Sequence, residues 1–383
     1  MQFMDTLKLK SRTEPIFKIL QGDARQLIGN LPEVHCVVTS PPYHQKRVYG
    51  NSDQEVGRNL EVDGYIADLV DIFKSIPLHP QGSIWVNIGD KRSADGGLCY
   101  IPARFGLEMM KAGFILRDHV IWVKSQANDD GTRDGNRMTE PCPNRLNGNG
   151  HEAILHFTKS PNAWADTVAV QMLRDNVSPI RYLPEDLMTA VTSLHGSNLD
   201  NVWHMGMGQT RERHYGVFPP VLCERPIAMT CPPFVNPDGT LPRRLVEAEQ
   251  YDEGRGWRRT IGKSDPDSSR EKKGRHDTGA QYIPRMPVTT GWEEISPDAT
   301  PGIVLDPFAG TGTAGEVALK LGRSFYGIEL YQEYAEIARK RCADGRAYVM
   351  RNYGNYDPVY EMIKNPGQRA TIRSWFEAAN AAA

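Results

Sequence analysis

The sequence predicts an open, mostly parallel, doubly wound α/β sheet, and three observations carry that prediction. Short apolar, β-branched runs alternate with stretches of helical periodicity along much of the 383-residue chain. One such run, residues 34–38, breaks off at Thr39-Ser40-Pro41-Pro42-Tyr43. Another, residues 303–305, runs into Asp306-Pro307-Phe308-Ala309-Gly310-Thr311-Gly312-Thr313. In an open α/β sheet, ligands bind beyond the carboxyl ends of the strands, so both breaks mark a candidate site.

Residues 16–20 read as the first strand, followed by Gln21-Gly22-Asp23 and a helical stretch over 24–31. Asp23 therefore shares a sheet edge with Ser40, although a Gly-Asp before a helix also serves as a turn and N-cap. The strand at 34–38 must stop at Pro41 and Pro42, because neither can donate to a sheet ladder. Residues 44–59 lack periodicity and carry Lys46, Arg47 and Arg58, as a mobile loop beside the site would. Tyr65, Ile66, Leu69, Ile72, Phe73 and Ile76 repeat at helical spacing until Pro77.

Strands at 83–90 and 114–124 flank a helix at 103–112. Residues 125–150 are rich in Asn, Asp, Gly and Arg and read as a long loop, and 151–159 return as a strand. Residues 160–210 show weak periodicity, with Trp164, Arg174, Arg181, Tyr182, Trp203 and His204 scattered among polar residues. Near the C-terminus come a strand at 303–306, a turn at 310–312, a helix at 313–321, a strand at 324–328 ending at Glu329, and a helix at 330–342.

The loop Gly310-Thr311-Gly312-Thr313-Ala314-Gly315 fits the dinucleotide fingerprint, with Glu329 about 20 residues on to meet ribose hydroxyls. A nicotinamide or flavin oxidoreductase is thus a competing reading. Asp306-Pro307-Phe308 departs from it by separating the strand from the first glycine. A dinucleotide enzyme also gives no reason for Ser40-Pro41-Pro42-Tyr43.

Together these two stretches resemble the DNA amino-methyltransferases, which move a methyl group from S-adenosylmethionine to an exocyclic base nitrogen. The tetrapeptide precedes the Gly-rich loop, an order similar to the circularly permuted β group of that family. The resemblance implies a Rossmann-like, S-adenosylmethionine-dependent methyltransferase fold with a target-recognition region and a large insertion. It divides the chain into a catalytic half (16–160), a recognition region (161–213), a cofactor-binding half (214–230 and 302–350), an insertion (231–301) and a tail (351–383).

The resemblance also assigns residues. Ser40, Pro41, Pro42 and Tyr43 are expected to be catalytic, with Tyr43 stacking on a flipped base while the Ser40 hydroxyl and Pro41 carbonyl accept the amine hydrogens. Asp23, Phe218, Pro219, Asp306, Phe308, Gly310, Thr311, Gly312, Thr313 and Glu329 are expected to hold S-adenosylmethionine, with Asp23 at the adenine. Double-stranded DNA is the expected partner and no metal is expected. Ser40 in place of Asp favours N4 of cytosine, with N6 of adenine as the rival. A DNA-binding protein that keeps the fold without turnover is a further alternative. Trp122-Val123-Lys124 and His151-Glu152 resemble later motifs of the family, although His151 alone reads more readily as a structural histidine than as a catalyst.

Formal net charge is only −2, so a DNA-binding face must be a local patch. The insertion supplies one candidate in Arg255, Trp257, Arg258, Arg259, Lys263, Arg270, Lys272, Lys273 and Arg275, which would contact DNA or a second copy in a homodimer. Deleting 240–296 is expected to leave the core folded. The six cysteines form no Cys-x-x-Cys pair, and Pro141-Cys142 is only a fragment of the pattern that carbon-5 cytosine methylation would need. With no long uncharged apolar run, the expectation is a cytoplasmic protein of prokaryotic or phage type. No residue points to a partner endonuclease.

Overall fold

The computed structural model describes residues 13–45, 52, 54–57, 61–127, 133–135, 150–170, 201–205, 219–252, 256–263 and 288–352. The first half builds β1 (Phe17–Gln21), α1 (Ala24–Leu27), β2 (Val34–Thr39), α2 (Val62–Lys74), β3 (Leu78–Ile88), α3 (Ile101–Lys111), β4 (Ile115–Ala127), β5 (Arg133–Gly135), β6 (His151–Thr158) and β7 (Val202–Met205). Then follow α4 (Pro220–Thr230), β8 (Arg244–Asp252), β9 (Gly256–Lys263), β10 (Val288–Trp292), β11 (Ile303–Asp306), α5 (Thr313–Lys320), β12 (Ser324–Glu329) and α6 (Gln332–Asn352).

The main sheet runs β1-β12-β11-β2-β3-β6-β4, with β5 and β7 both pairing to β4. From β1 to β3 every neighbouring pair is parallel, and β6 is antiparallel to both β3 and β4. The decisive neighbours are β11 and β2, where Val304 pairs with Cys36 and Leu305 with Val37. Two motifs far apart in the chain thereby end side by side, as a single sheet requires of a permuted chain.

Alternation within the strands feeds two cores. Cys36, Val38, Trp85, Ile154, Val304 and Phe325 face α4, α5 and α6, where Leu222, Ile227, Ala314, Val317, Ala335 and Ala338 meet them. Val37, Ile84, Val86, Leu155, Leu305 and Ile328 face the other way onto Ile28, Tyr65, Leu69, Phe73, Phe105 and Met109. All six residues of β2 are buried, which is why that strand reads as a continuous apolar run rather than an alternating one. Each aliphatic side chain so buried contributes roughly 1.5–3 kcal/mol.

Several expectations need correction. The segment read as a loop from residue 125 begins as strand, because β4 runs on to Ala127 and β5 pairs back against it. Trp164 and Trp203, expected among the polar residues of a recognition region, are core side chains. Trp203 lies on β7 and stacks near Trp85 at 6.0 Å, while Trp164 donates its indole N–H to the Pro242 carbonyl. A four-residue strand offers too few repeats for periodicity to reveal it. The C-terminal helix continues ten residues past its expected end, to Asn352. Phe218, Cys142 and residues 353–383 lie outside the described residues.

The insertion holds a three-stranded antiparallel sheet, β10-β8-β9. Its base is fixed to the main fold: Arg244 bonds the Asp166 carboxylate at 2.8 and 3.0 Å, and its guanidinium lies 4.6 Å from the centre of the Trp292 ring. Both partners of that ion pair are buried. Arg243 and Glu293 exchange two hydrogen bonds, and Val235 bridges Thr300 below them. The deletion drawn from sequence, 240–296, therefore cuts through the anchor. Of the basic stretch, Arg258, Arg259 and Lys263 lie on β9, and 264–275 fall outside the described residues.

Leu245 and Gly291 are register partners, so a two-residue turn can join them in place of 246–290. That deletion is expected to leave core stability nearly unchanged in urea unfolding. Deleting 240–296 instead strands Asp166 as a buried, unpaired carboxylate and is expected to cost about 3–5 kcal/mol. Equal stability of the two deletion proteins would show that the anchor is dispensable.

Candidate active site

The site is built on one contact between strand ends. Thr39, the last residue of β2, donates its hydroxyl to Asp306 Oδ1 at 2.6 Å, at the end of β11, and both side chains are buried. The same oxygen accepts the Phe308 amide at 3.0 Å, turning the chain into the Gly-rich loop. Burial raises the Asp306 carboxyl to about 7 despite those two hydrogen bonds, and neighbouring Glu329 pushes in the same direction.

Glu329 ends β12 and organises the next layer. Its Oε2 accepts the Gly310 amide at 2.8 Å and its Oε1 the Tyr331 amide at 2.9 Å. Burial holds this carboxyl above its usual range, against the backbone N–H groups that favour its charge. Each oxygen keeps a lone pair, so the pair of acceptors suits the two donating hydroxyls of a vicinal diol such as a ribose.

Gly310 and Gly312 adopt left-handed backbone with φ of 51° and 81°. At Gly312 a Cβ would stand 2.8 Å from the Ala338 Cα, so this glycine makes room for α6 rather than for a ligand. The hydroxyls of Thr311 and Thr313 each accept from Arg341 Nη1 at 3.0 Å, and Arg341 also pairs with Glu316. Two side chains expected at the cofactor are thus engaged by the last helix. Pro219 is buried as the N-cap residue of α4.

Asp23 reaches the predicted edge, but as an N-cap. Its Oδ1 accepts the Arg25 amide at 2.9 Å, and the Arg25 guanidinium occupies both oxygens at 2.8–3.0 Å. A ligand amine would have to displace Arg25 to reach that carboxylate. Arg25 also bonds the Gln54 carbonyl at 2.7 Å, and Glu55 accepts from the Tyr331 hydroxyl at 3.2 Å. With Val56 and Glu55 buried, these residues of the supposed mobile loop are packed down beside the site.

In the tetrapeptide Pro41 is buried and Ser40 half-buried at the edge. Tyr65 donates to the Pro42 carbonyl at 2.8 Å. The Tyr43 ring lies against Gly89, where a Cβ would approach within 2.6 Å. Its hydroxyl donates to Glu152 Oε2 at 2.6 Å and accepts from Asn87 Nδ2 at 3.0 Å. Asn87 Nδ2 also reaches Glu152 Oε2 at 3.0 Å, and Lys124 Nζ binds Glu152 Oε1 at 2.6 Å. Burial would raise the Glu152 carboxyl, yet the Lys124 charge and the bonds from Lys124, Tyr43 and Asn87 outweigh it and hold it below the usual range.

The sequence marks Lys124 and Glu152 only within the family-like stretches Trp122-Val123-Lys124 and His151-Glu152 and ties neither to Tyr43, while His151 is exposed. The usable signal was a lysine ending the apolar run Ile121-Trp122-Val123-Lys124, with an acid starting the neighbouring strand. Among the described residues no group of three or more His, Cys, Asp or Glu could hold a metal ion. No described helix is long and apolar enough to cross a membrane.

The raised Asp306 value has a pH consequence. Its folded value exceeds the unfolded one near 4, so its stabilising contribution is full below about pH 4 and is lost as pH rises through about 7. Asp306→Asn keeps an oxygen for Thr39 and Phe308 but cannot ionise. Thermal melts should therefore show the variant gaining on the parent protein from pH 4 to pH 8. A variant that loses ground to the parent as pH rises would contradict the assignment.

The sequence model of the family described as DNA methylase matches residues 34–240 and 295–340 of this chain, leaving 241–294 outside it. The type II methyltransferase M.SmaI of Serratia marcescens is 25% identical over 356 residues, covering 85% of this chain and 90% of the relative. M.SfiI of Streptomyces fimbriatus is likewise 25% identical, with 86% and 92% covered. Among solved structures, the PvuII cytosine-N4-specific DNA methyltransferase is 16% identical at a TM-score of 0.49, covering 90% of this chain and 96% of its own. With the family match spanning most of the sheet and both edge motifs, the chain belongs to the DNA methylase family, S-adenosylmethionine-dependent enzymes that methylate exocyclic amino groups of DNA bases.

Proposed function

We propose that this methyltransferase flips its target base out of duplex DNA and methylates the N4 amine of cytosine. The observation that carries the reading is the 2.6 Å bond between Thr39 and Asp306. It brings Ser40-Pro41-Pro42-Tyr43 to the same sheet edge as the Gly-rich loop and Glu329. Family membership decides against the dinucleotide reading of that loop.

Glu329 would hold the cofactor's ribose, and Asp306, Phe308 and Gly310 would line its path. Asp23 would approach its adenine if Arg25 yields. S-adenosylmethionine supplies an electrophilic methyl group on a sulfonium. An exocyclic amine is a weak nucleophile because its lone pair is delocalised into the ring. The Ser40 hydroxyl and Pro41 carbonyl would accept its two N–H hydrogens, favouring a pyramidal nitrogen with its lone pair aimed outward. Tyr43 would stack on the extruded base. Its hydroxyl is already engaged by Glu152 and Asn87, so the ring face is what it offers.

Cytosine is favoured by Ser40, which stands where relatives that modify adenine more often carry Asp. The basic stretch of the insertion, residues 255–275, is proposed as a second contact for DNA or for a second copy of the chain.

Nucleoside mass spectrometry of DNA from cells expressing the protein is expected to show N4-methylcytosine. N6-methyladenine without N4-methylcytosine would move the choice to adenine. Ser40→Ala is expected to lower kcat for labelled methyl incorporation by roughly 10²-fold, the usual effect of deleting one transition-state hydrogen bond, with S-adenosylmethionine affinity little changed. Full incorporation by that variant would remove Ser40 from the mechanism.

A further inference from the structure

We infer that Glu152, held by Lys124 and Asn87, is a positioning residue that fixes the Tyr43 ring in its base-stacking orientation. The inference rests on the reading of Tyr43 as the stacking residue and extends it to three side chains from other strands.

The Tyr43 ring is constrained from two sides. Gly89 leaves its backbone open for the ring to lie against, and Glu152 takes the hydroxyl at 2.6 Å. A phenol on a single-bonded stem swings about χ1 and χ2; fixing its far oxygen while one face is packed removes both motions. The anchoring carboxylate is itself held through both of its oxygens. Lys124 binds one oxygen at 2.6 Å and Asn87 the other at 3.0 Å, with Lys124 and Glu152 only 9% and 11% exposed.

The network is costly as a stabilising device. Desolvating two charges costs several kcal/mol, and a buried pair is often no better for stability than apolar side chains of the same volume. Asn87 Oδ1 is moreover buried without a hydrogen-bond partner, although the amide's other end bonds both Tyr43 and Glu152. An arrangement that leaves an acceptor unpaired in order to aim a donor at two specific oxygens is shaped by the position of those oxygens. The geometry is also directional. Lys124 ends the apolar part of β4, Glu152 opens β6 and Asn87 lies near the end of β3, so three strands converge on one phenol.

The test is a double-mutant cycle between Tyr43→Phe and Glu152→Gln, read as kcat and KM for labelled methyl transfer into unmethylated bacterial genomic DNA. Each single variant is expected to lose about 10- to 150-fold in kcat, the worth of one hydrogen bond to a charged group. The combined variant should be no slower than the worse single, because Glu152 acts through the hydroxyl that Tyr43→Phe removes. Binding of S-adenosylmethionine, measured by calorimetry, should stay within about twofold in all three and reports that the fold is intact.

Losses that multiply in the combined variant would overturn the proposal, since Glu152 would then act independently of Tyr43. Full kcat in Tyr43→Phe would overturn it as well, and that substitution removes a single partly exposed oxygen, so its result stands even if Glu152→Gln fails to fold. Absence of methyl transfer by the unmodified protein would instead count against the parent reading of function.

Discussion

Everything at the active edge depends on β11 lying against β2. Their parallel pairing is short, two registered residue pairs, and it is closed at its carboxyl end by the Thr39–Asp306 bond. Without it Ser40-Pro41-Pro42-Tyr43 and the Gly-rich loop, more than 260 residues apart in sequence, would have no fixed relation. A hydroxyl donating to a buried carboxylate is a stringent connector, because a one-residue slip would leave Asp306 desolvated without its Thr39 partner. The bond therefore helps to select the register it closes.

Chain order and sheet order are separate choices, and this protein illustrates why the second governs chemistry. Each parallel strand delivers its last residue to the same edge whatever its place in the chain. Asp23, Thr39, Asp306 and Glu329 come from four such strands or the turns that follow them. In an open α/β sheet ligands bind in the crevice beyond that carboxyl edge.

The fold was legible because its signals are local. Continuous apolar runs at 34–38 and 303–305, the helical spacing from Tyr65 to Ile76, and the breaks at Pro41 and Gly310 each follow from rules spanning a few residues. The site was legible where a short motif carries its own chemistry, as at Ser40-Pro41-Pro42-Tyr43 and Glu329. What escaped was pairing across the chain. Nothing near Thr311 announces Arg341, nothing near Tyr43 announces Glu152, and Asp166 gives no hint of Arg244. Trp203 misled for the opposite reason: four residues joining a sheet at its margin look like surface until the neighbouring strand is known.

Two buried ion pairs show how placement changes the meaning of the same interaction. Arg244–Asp166 sits where the inserted strands leave the main fold, away from the reactive edge, and its guanidinium also covers the Trp292 ring. Asp166 also donates its amide to the Met229 carbonyl at the end of α4, so the pair works as a rivet between the inserted sheet and the main fold. Lys124–Glu152 sits at the end of the central strands, and the carboxylate's remaining capacity goes to a phenol and an amide rather than to backbone. Burial imposes a similar desolvation cost on each pair. The first recovers it by fixing the attachment of a whole sheet, the second by fixing one aromatic ring. That difference in what is held, rather than any difference in charge or depth, separates scaffold from site in this molecule.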